Sequence, residues 1–304
     1  MTRTIAVLCS LAAALAVAGC GERKETTAPS STTTLRVALA PVNAGQAALF
    51  AADAKPAGLK VEFAISADPA TAISKLTQGR ADLAVSTEPA LLEARGKGAR
   101  VVSVAALTQS PFTSLIGPKL SVGSVLGLAT KPIGTEGLDY QKAMADTIFT
   151  KANVVDVGPD LAKALSSKRV AAVIAPFGGP KLPPGVSVIP VDRLKVPTFS
   201  EYVLVANADA VKENGGVIRS YIGALARGTR NIAAARKQSA IAPFLNGGEA
   251  ARVRALMLPP AGRPYGWHDA AKWRAFAAWM REHKLPVNGT GAFTNELLPG
   301  EGLR

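Results

Sequence analysis

Residues 76–85 read LTQGRADLAV, and 89 positions further on, residues 165–174 read LSSKRVAAVI. In each copy we expect the end of a helix, a basic turn and a short buried strand. A helix that leads into a buried strand, repeated along a chain, indicates an α/β fold. Two copies in one chain predict two similar α/β lobes with a ligand cleft between them, because strand and helix ends converge there.

Strand and helix signals also alternate outside the two copies. Apolar runs predict strands at Leu35–Ala40, Leu59–Ile65 and Arg100–Leu107. Asp68 followed by Pro69 predicts a helix start, with Asp as the N-cap and Pro at the first helical position. This order of elements is typical of an α/β domain with a mostly parallel sheet.

The alternation changes character at two places. It restarts after Lys119, and after Asn207 the chain becomes predominantly helical. We therefore predict lobe I over residues 34–118 together with 208–304, and lobe II over residues 119–207. The chain would cross twice between the lobes, which would let them close around a ligand.

The first twenty residues predict export. Arg3 precedes an apolar run over residues 5–18, which is too short to span a bilayer and is typical of a secretory signal peptide. The run ends in VAGC, which is similar to a bacterial lipobox, so we predict a lipoprotein signal peptide over 1–19 and lipidation of Cys20. Residues 20–33 are small and polar and predict a flexible tether. The protein would be periplasmic or at the cell surface, with a lipid anchor in the membrane.

Composition describes a folded chain with an excess of positive charge. Of the 304 residues, 48% are hydrophobic and 19% are charged. Lys and Arg number 35 against 22 Asp and Glu, a net charge of +13 that would suit nucleic acid. The basic residues, however, occur singly or in short pairs such as Lys168-Arg169, without interleaved aromatics. We therefore expect a solvated basic surface and no nucleic-acid partner.

Residues suited to catalysis are sparse. Cys9 and Cys20 are the only cysteines, and His268 and His283 are the only histidines. The sequence contains no zinc-binding spacing, no phosphate-binding glycine loop and no GxSxG nucleophile elbow. We therefore expect no catalytic residue, no metal site, no cofactor and no enzymatic activity.

Several stretches carry a resemblance to a known family. They are VGPDLAKAL at 157–165, VPTFSEYVLVAN at 196–207 and EPALLEARGKGARVVSVAALTQSP at 88–111. The sequence resembles solute-binding proteins of ABC importers, within the sulfonate, nitrate and thiamine-pyrimidine superfamily, and most of all the group that binds pyrimidine precursors of thiamine. The resemblance implies a type II periplasmic-binding-protein fold, a monomer, a small-molecule solute as ligand and an ABC-importer permease as partner.

The family resemblance and the positions of the predicted strand ends together indicate which polar residues would bind the ligand. The ligand-binding carboxylate of the pyrimidine group corresponds to Glu201, which begins a predicted strand. Glu88 stands at a predicted helix start, where it would accept from a ligand amine or interact with the helix dipole. Asn43, Ser110 and Thr135 lie on loops at strand ends, where they would bind a ligand or cap a turn.

The sequence departs from the group at the aromatic position. The group's opening strand ends in a turn similar to D-W-x-P-N, whose aromatic stacks on the pyrimidine. Residues 39–43 read LAPVN, which keeps Asn43 and lacks the aromatic. A stacking partner would have to come from elsewhere, and the candidates are Phe177, Phe199, Tyr202 and Tyr140.

Two other functions remain open from the sequence. A small anion such as an alkanesulfonate, taurine or nitrate would bind in the same cleft through helix N-termini and hydroxyl groups. An enzyme resembling the eukaryotic thiamine-pyrimidine synthases would share the fold. Those enzymes use a reactive histidine and a cysteine-rich iron motif, and we expect neither lobe to supply those residues near the cleft.

Overall fold

The computed structural model of the chain describes residues 33–51, 56–177, 185–234, 253 and 255–300. The predicted signal peptide and the lipidation site at Cys20 lie outside these residues. Within the described part, no helix combines the length and the apolar character needed to cross a bilayer.

The strands form two mixed sheets. The first sheet contains β1 (Thr33–Leu39), β2 (Leu59–Ile65), β3 (Leu83–Ser86), β4 (Val101–Ala106) and β10 (Val203–Asn207), in the order β2-β1-β3-β10-β4. The second contains β5 (Thr113–Pro118), β6 (Pro132–Thr135), β7 (Asn153–Asp156), β8 (Ala172–Pro176) and β9 (Val186–Pro190), in the order β7-β6-β8-β5-β9. In each sheet three neighbouring strands run parallel, and β10 or β5 joins them antiparallel.

Helices connect the parallel strands and continue after the last strand. They are α1 (Pro69–Thr77), α2 (Glu88–Gly96), α3 (Asp139–Phe149), α4 (Leu161–Ser166), α5 (Ala208–Glu213), α6 (Gly215–Ala234) and α7 (Ala270–Glu282). Short 3₁₀ helices cover Ala44–Phe50, Val122–Leu128 and Val191–Arg193. Asp68 caps α1 with Pro69 at the start of the helix, as the sequence predicts. The fold is therefore α/β with two lobes.

The repeated sequence element is a repeated structural element. Gly79 after α1 and Lys168 after α4 both have left-handed backbones, with φ of 69° and 57°. The amides of the next residues, Arg80 and Arg169, each donate to the carbonyl five residues earlier, at 2.9 and 3.0 Å. Each turn then leads into a buried strand, β3 or β8. This confirms the helix end, turn and strand expected from the sequence.

Sheet membership moves both expected lobe boundaries toward the N-terminus. β5 lies in the sheet of lobe II although the expected lobe I extends to 118, and β10 lies in the sheet of lobe I although the expected lobe II extends to 207. The break at Lys119, where φ is 51°, is a turn that follows β5 inside lobe II. The chain crosses between the sheets earlier, over residues 107–112 (the first crossing) and 194–202 (the second crossing).

Candidate functional site

A cavity of about 350 Å³ lies between the two lobes, within the usual size range of small-molecule sites. Its lining comes from both sheets: from lobe I Ala40, Pro41, Val42, Asn43, Ala67, Asp68, Pro69, Thr87 and Tyr202, and from lobe II Glu136, Leu138, Tyr140, Pro159, Leu161 and Pro176. Most of these residues follow the carboxyl ends of parallel strands. This is where ligands bind in open α/β sheets.

The lobe I wall is built around Asn43 and Tyr202. The Oδ1 atom of Asn43 accepts from the amide of Gly45 at 2.9 Å, which caps the 3₁₀ helix that follows β1. The Nδ2 group of Asn43 donates to the hydroxyl of Tyr202. A Cβ at position 45 would lie 2.7 Å from two ring carbons of Tyr202, so the glycine permits this close approach. Two residues distant in sequence therefore form one polar wall.

Glu136 is the carboxylate that lobe II presents to the cavity. The Oε2 atom of Glu136 accepts from Nε2 of Gln141 at 2.7 Å. The backbone amide of Glu136 donates to Oε1 of Gln141 at 2.8 Å. Gly137 follows with φ of 81° and packs against the carboxylate of Asp156. Burial raises the pKa of Glu136, and the bond from Gln141 opposes that rise. The Oε1 atom of Glu136 is left as an acceptor for a ligand donor.

Two tyrosines provide the aromatic surface of the cavity, one from each lobe. Tyr140 on α3 and Tyr202 at the second crossing are each at least 97% buried. Burial raises the pKa of both phenols well above the usual value, and the charge of Glu201 adds to the rise. Both therefore stay neutral and can donate a hydrogen bond. Among the aromatic candidates from the sequence, these two line the cavity.

The two phenylalanine candidates lie in the core. Phe177 stacks on Phe112 with ring centroids 4.7 Å apart, and Phe199 stacks on Phe276 at 4.5 Å. Both are almost completely buried, and neither belongs to the described lining of the cavity. Phe177, which we expected to bind ligand, contributes to the packing beneath Tyr202, because Phe112 also meets the Tyr202 ring edge-on at 6.2 Å.

The described lining is acidic. It contains the carboxylates of Asp68 and Glu136 and no Lys, Arg or His side chain. Asp68 accepts from the amide and the hydroxyl of Thr71. This N-cap occupies one of the free backbone amides in the first turn of α1. Pro69 begins α1 and Pro89 lies in the first turn of α2, and neither has an amide proton. These helix starts therefore offer few donors to an anion.

Glu201 and Glu88 are buried behind the cavity and are not part of its described lining. Glu201 accepts from the amide and the hydroxyl of Thr113, at 2.7 and 3.0 Å. Glu88 accepts through Oε2 from the amide of Ser200 at 2.7 Å. Burial raises the pKa of Glu88 to about 8 and that of Glu201 to about 7. In this structure, both carboxylates bind the protein's own backbone.

Ser110 and Thr135 also lie outside the cavity lining described by the structure. Ser110 is half-buried in the first crossing. Thr135 is the buried last residue of β6, and its hydroxyl accepts from the amide of Gly137 at 3.4 Å. Thr135 thus acts as a turn-capping residue next to the lining residue Glu136.

Sequence reasoning did not single out several lining residues. Glu136 directly follows Thr135, the last residue of β6. Thr135 was chosen as a candidate because it is a polar residue at a strand end, and the same reason applies to Glu136. Pro159 and Leu161 belong to the VGPDLAKAL stretch that carries the family resemblance. Asp68 was recognised as a helix cap, and its proximity to the cavity depends on how the two lobes come together.

A Ser–His–Asn arrangement occurs elsewhere in the core. Ser103 donates to Nε2 of His268 at 2.7 Å, and Nδ1 of His268 donates to Oδ1 of Asn295 at 2.9 Å. Ser103 and His268 are at most 1% exposed, and neither lines the cleft cavity. Burial lowers the pKa of His268 to about 4, so the ring is neutral. The arrangement ties the C-terminal segment to β4.

A curated protein is similar to most of this chain. A formylaminopyrimidine-binding protein of Halalkalibacterium halodurans is 26% identical over 269 residues, which cover 78% of this chain and 81% of the relative.

Solved structures share the fold at low sequence identity. The ligand-binding component of an ABC-type import system from Staphylococcus aureus superposes with a TM-score of 0.67 at 13% identity, covering 87% of this chain and 97% of that one. The alkanesulfonate-binding protein from Xanthomonas axonopodis pv. citri gives 0.64 at 15% identity, covering 86% and 98%. The periplasmic-binding-protein fold expected from the sequence is confirmed. Since residues 47–239, more than half of the chain, match the family model described as NMT1/THI5 like, this protein belongs to that family.

Proposed function

We propose that this protein is the extracytoplasmic solute-binding component of an ABC importer, and that it binds a thiamine-related aminopyrimidine between its lobes without chemical change. The family membership and the formylaminopyrimidine-binding relative support this function. One observation carries it. The cavity combines a tyrosine from each lobe with two carboxylates, and its described lining contains no basic side chain.

This lining matches the chemistry of an aminopyrimidine. The flat ring has an apolar face for Tyr140 and Tyr202, which replace the aromatic that is missing before Asn43. An exocyclic amine donates hydrogen bonds, and Oε1 of Glu136 is the acceptor we assign to it. The ring nitrogens accept, and the neutral tyrosine hydroxyls are donors within the same cavity. The ligand would contact both lobes and so favour their closure.

The same lining argues against a small anion. A sulfonate or nitrate needs several donors, usually from basic side chains or helix N-termini. The lining offers two carboxylates instead, and Pro69 and Pro89 remove donors at two helix starts. Like charges in a partly buried cavity would repel the ligand.

Calorimetry on the exported domain tests the ligand class. We expect a formylaminopyrimidine to bind, and taurine, an alkanesulfonate and nitrate to give no heat of binding. X-ray scattering should show a small decrease in the radius of gyration with the pyrimidine, as lobe closure requires. Binding of a sulfonate and not of the pyrimidine would overturn the proposal.

Glu136→Gln tests the recognising carboxylate. The loss of a charge-assisted hydrogen bond, about 1.5–3 kcal/mol, should weaken pyrimidine binding roughly 10-fold to 150-fold. Asp139→Asn is the matched control, because Asp139 is an exposed acid three residues further on, at the start of α3, and it does not line the cavity. Equal affinities for wild type and Glu136→Gln would contradict the assignment.

We further propose that acyl chains on Cys20 hold the protein at the membrane and that it meets the permease as a monomer. The anchor rests on the VAGC motif, and the monomer rests on the family resemblance. Cys20→Ser should release the protein from the membrane fraction and leave pyrimidine affinity unchanged. A wild-type protein that is entirely soluble would contradict the anchor.

A further inference from the structure

Lysines gather at one end of the lobe II sheet. The strand order is β7-β6-β8-β5-β9, and one lysine stands at the same end of each of the first four strands. Lys151, Lys131 and Lys168 precede the parallel strands β7, β6 and β8. Lys119 follows β5, which runs antiparallel to β8. This end lies opposite the cleft, and we call the four lysines, together with the 3₁₀ helix Val122–Leu128, the distal edge.

The four lysines of the distal edge lie close together and point to solvent. Neighbouring strands are about 4.8 Å apart, so four strand ends span about 14 Å. The register pairs Pro132 of β6 with Asn153 of β7, so that Lys131 and Lys151 differ in height by one residue. All four lysines are exposed, and in the part of the chain that the structure describes none of their ammonium groups forms an ion pair.

The turns at the distal edge carry no negative charge. The segments that form them contain no Asp or Glu, and they are residues 117–132, 149–153 and 165–172. Asp146, near the end of α3, is already paired with Lys142 at 3.0 Å. The opposite end of the sheet is acidic, with Glu136 after β6 and Asp156 at the end of β7. The positive charge of lobe II is therefore concentrated at one end of its sheet, away from the cleft.

Three of the lysines occupy backbone conformations that glycine adopts more easily. The φ angle is 51° at Lys119, 138° at Lys151 and 57° at Lys168. A cation at the C-terminal end of a helix is favourable, which would account for Lys151 after α3 and Lys168 after α4. Lys119 and Lys131 follow no α-helix. Local folding preferences therefore do not explain the four lysines as a group.

The distal edge also exposes apolar side chains between two of its lysines. The 3₁₀ helix Val122–Leu128 connects β5 to β6 and so runs from Lys119 to Lys131. Val122 is 49% exposed, and Leu126, at 72%, is the most exposed large hydrophobic side chain among the described residues. Aliphatic side chains flanked by lysines are suited to the interface of an anionic bilayer, where apolar burial and charge attraction act together.

From this arrangement we propose that the distal edge of lobe II binds the surface of an anionic phospholipid membrane. The four lysines lie against lipid phosphates, and Val122 and Leu126 insert between the headgroups. A nucleic acid fits less well, because two aliphatic side chains offer its bases no stacking surface. The anchor proposed at Cys20 would keep the domain near such a membrane, where a weak second contact is sufficient. Contact through the distal edge leaves the cleft free to take up ligand.

Flotation with lipid vesicles tests this proposal. The full exported chain carrying Cys20→Ser has no acyl anchor, so only the protein surface can bind. We expect it to bind vesicles of equal parts phosphatidylglycerol and phosphatidylcholine and not vesicles of phosphatidylcholine alone. Binding should weaken as salt is raised from about 50 to about 300 mM, because salt screens exposed charges. No binding to the anionic vesicles at the lower salt would overturn the proposal.

Lys168→Gly in the Cys20→Ser chain tests the distal edge itself. One lysine fewer at an anionic surface should weaken vesicle binding about 5-fold, and glycine suits the backbone at this position. Lys195→Gly is the matched control, because Lys195 is an exposed lysine with φ of 72° that lies beyond the other end of β9. It should bind like its parent. Equal losses in the two variants would reflect net charge alone and overturn the proposal.

The triple variant Lys119→Gly/Lys151→Gly/Lys168→Gly should lose at least about 25-fold in vesicle affinity. Leu126→Ser leaves the net charge unchanged and should weaken binding about 5-fold, because an exposed leucine no longer enters the headgroup region. A short DNA duplex serves as a polyanion without lipid. Duplex binding as tight as vesicle binding, with no effect of Leu126→Ser on the vesicles, would show a general polyanion surface and overturn the assignment to a membrane.

Pyrimidine calorimetry separates this proposal from the proposed ligand. The distal edge lies at the end of the sheet away from the cavity, so Lys168→Gly and Leu126→Ser should keep the pyrimidine affinity of their parent. If wild type binds no pyrimidine, the ligand assignment fails, while vesicle flotation still tests the distal edge. A loss of pyrimidine affinity in both variants equal to their loss of vesicle binding would show a general disturbance of lobe II and overturn the proposal.

Discussion

The side-chain amide of Asn43 donates to the hydroxyl of Tyr202 across 159 positions of sequence. Asn43 ends the loop after the first strand, and Tyr202 begins the return of the chain into the same sheet. Both side chains are at least 95% buried, and both line the cleft cavity. One hydrogen bond therefore joins the opening loop of lobe I to the second crossing.

Removing the hydroxyl of Tyr202 should destabilise the protein. Tyr202→Phe keeps the ring and leaves the Nδ2 group of Asn43 buried without its acceptor, which costs about 1–3 kcal/mol of unfolding free energy. Urea denaturation of Tyr202→Phe, Asn43→Ala and the double variant measures the coupling. We expect a coupling energy of about 0.5–3 kcal/mol, and strictly additive effects would contradict the contact.

Adding a methyl group at Gly45 should disturb the cavity wall. In Gly45→Ala the Cβ would lie 2.7 Å from two carbons of the Tyr202 ring, so the ring must move. We expect pyrimidine affinity to fall about 10-fold, or by about 1.4 kcal/mol. Gly123→Ala is the control, since no atom lies within 4 Å of its added Cβ. A Gly45→Ala protein that binds as tightly as the control would contradict this role.

Stability should fall as the pH rises from 6.5 to 8.5. The pKa of Glu88 is raised to about 8 in the folded state, so its contribution is present at low pH and is lost as the pH rises. His268, with its pKa lowered to about 4, acts in the opposite direction, but its contribution is complete above about 6.5.

Glu88→Gln should flatten this decline, which can reach about 1.4 kcal/mol per pH unit for each proton released. The measurement is the urea midpoint across the pH range, with the exposed Glu282→Gln as control. A slope in Glu88→Gln equal to that of wild type would mean that Glu88 titrates at its ordinary value.

The two copies of the helix–turn–strand element should respond oppositely to mutation. Gly79 and Lys168 occupy the same left-handed position. Gly79→Ala should destabilise by about 1 kcal/mol, because a Cβ is strained there, and Lys168→Gly should stabilise by up to about 1 kcal/mol. Thermal unfolding of both variants provides the test. The same sign of effect at both positions would contradict their equivalence.

The sequence alone was sufficient for the fold class and for the repeated element. Apolar periodicity, the Asp68-Pro69 helix start and the echo of residues 76–85 in 165–174 are local signals, and local hydrogen bonding and burial preferences act on them directly. The same signals placed the lobe boundaries later than the sheets do, because the turn at Lys119 interrupts the pattern inside a sheet and because pairing with distant strands decides which sheet a strand joins.

Only the tertiary structure decided which polar groups face the ligand cavity. Glu201 and Glu136 both stand beside strand ends, but Glu201 meets Thr113 from a distant strand, whereas Glu136 pairs with Gln141 through one oxygen and opens to the cleft. Tyr140 and Phe177 are likewise both aromatic, but of the two only Tyr140 belongs to the described lining of the cavity. Such choices depend on long-range packing between the two sheets, and the spacing of residues along one segment does not contain that information.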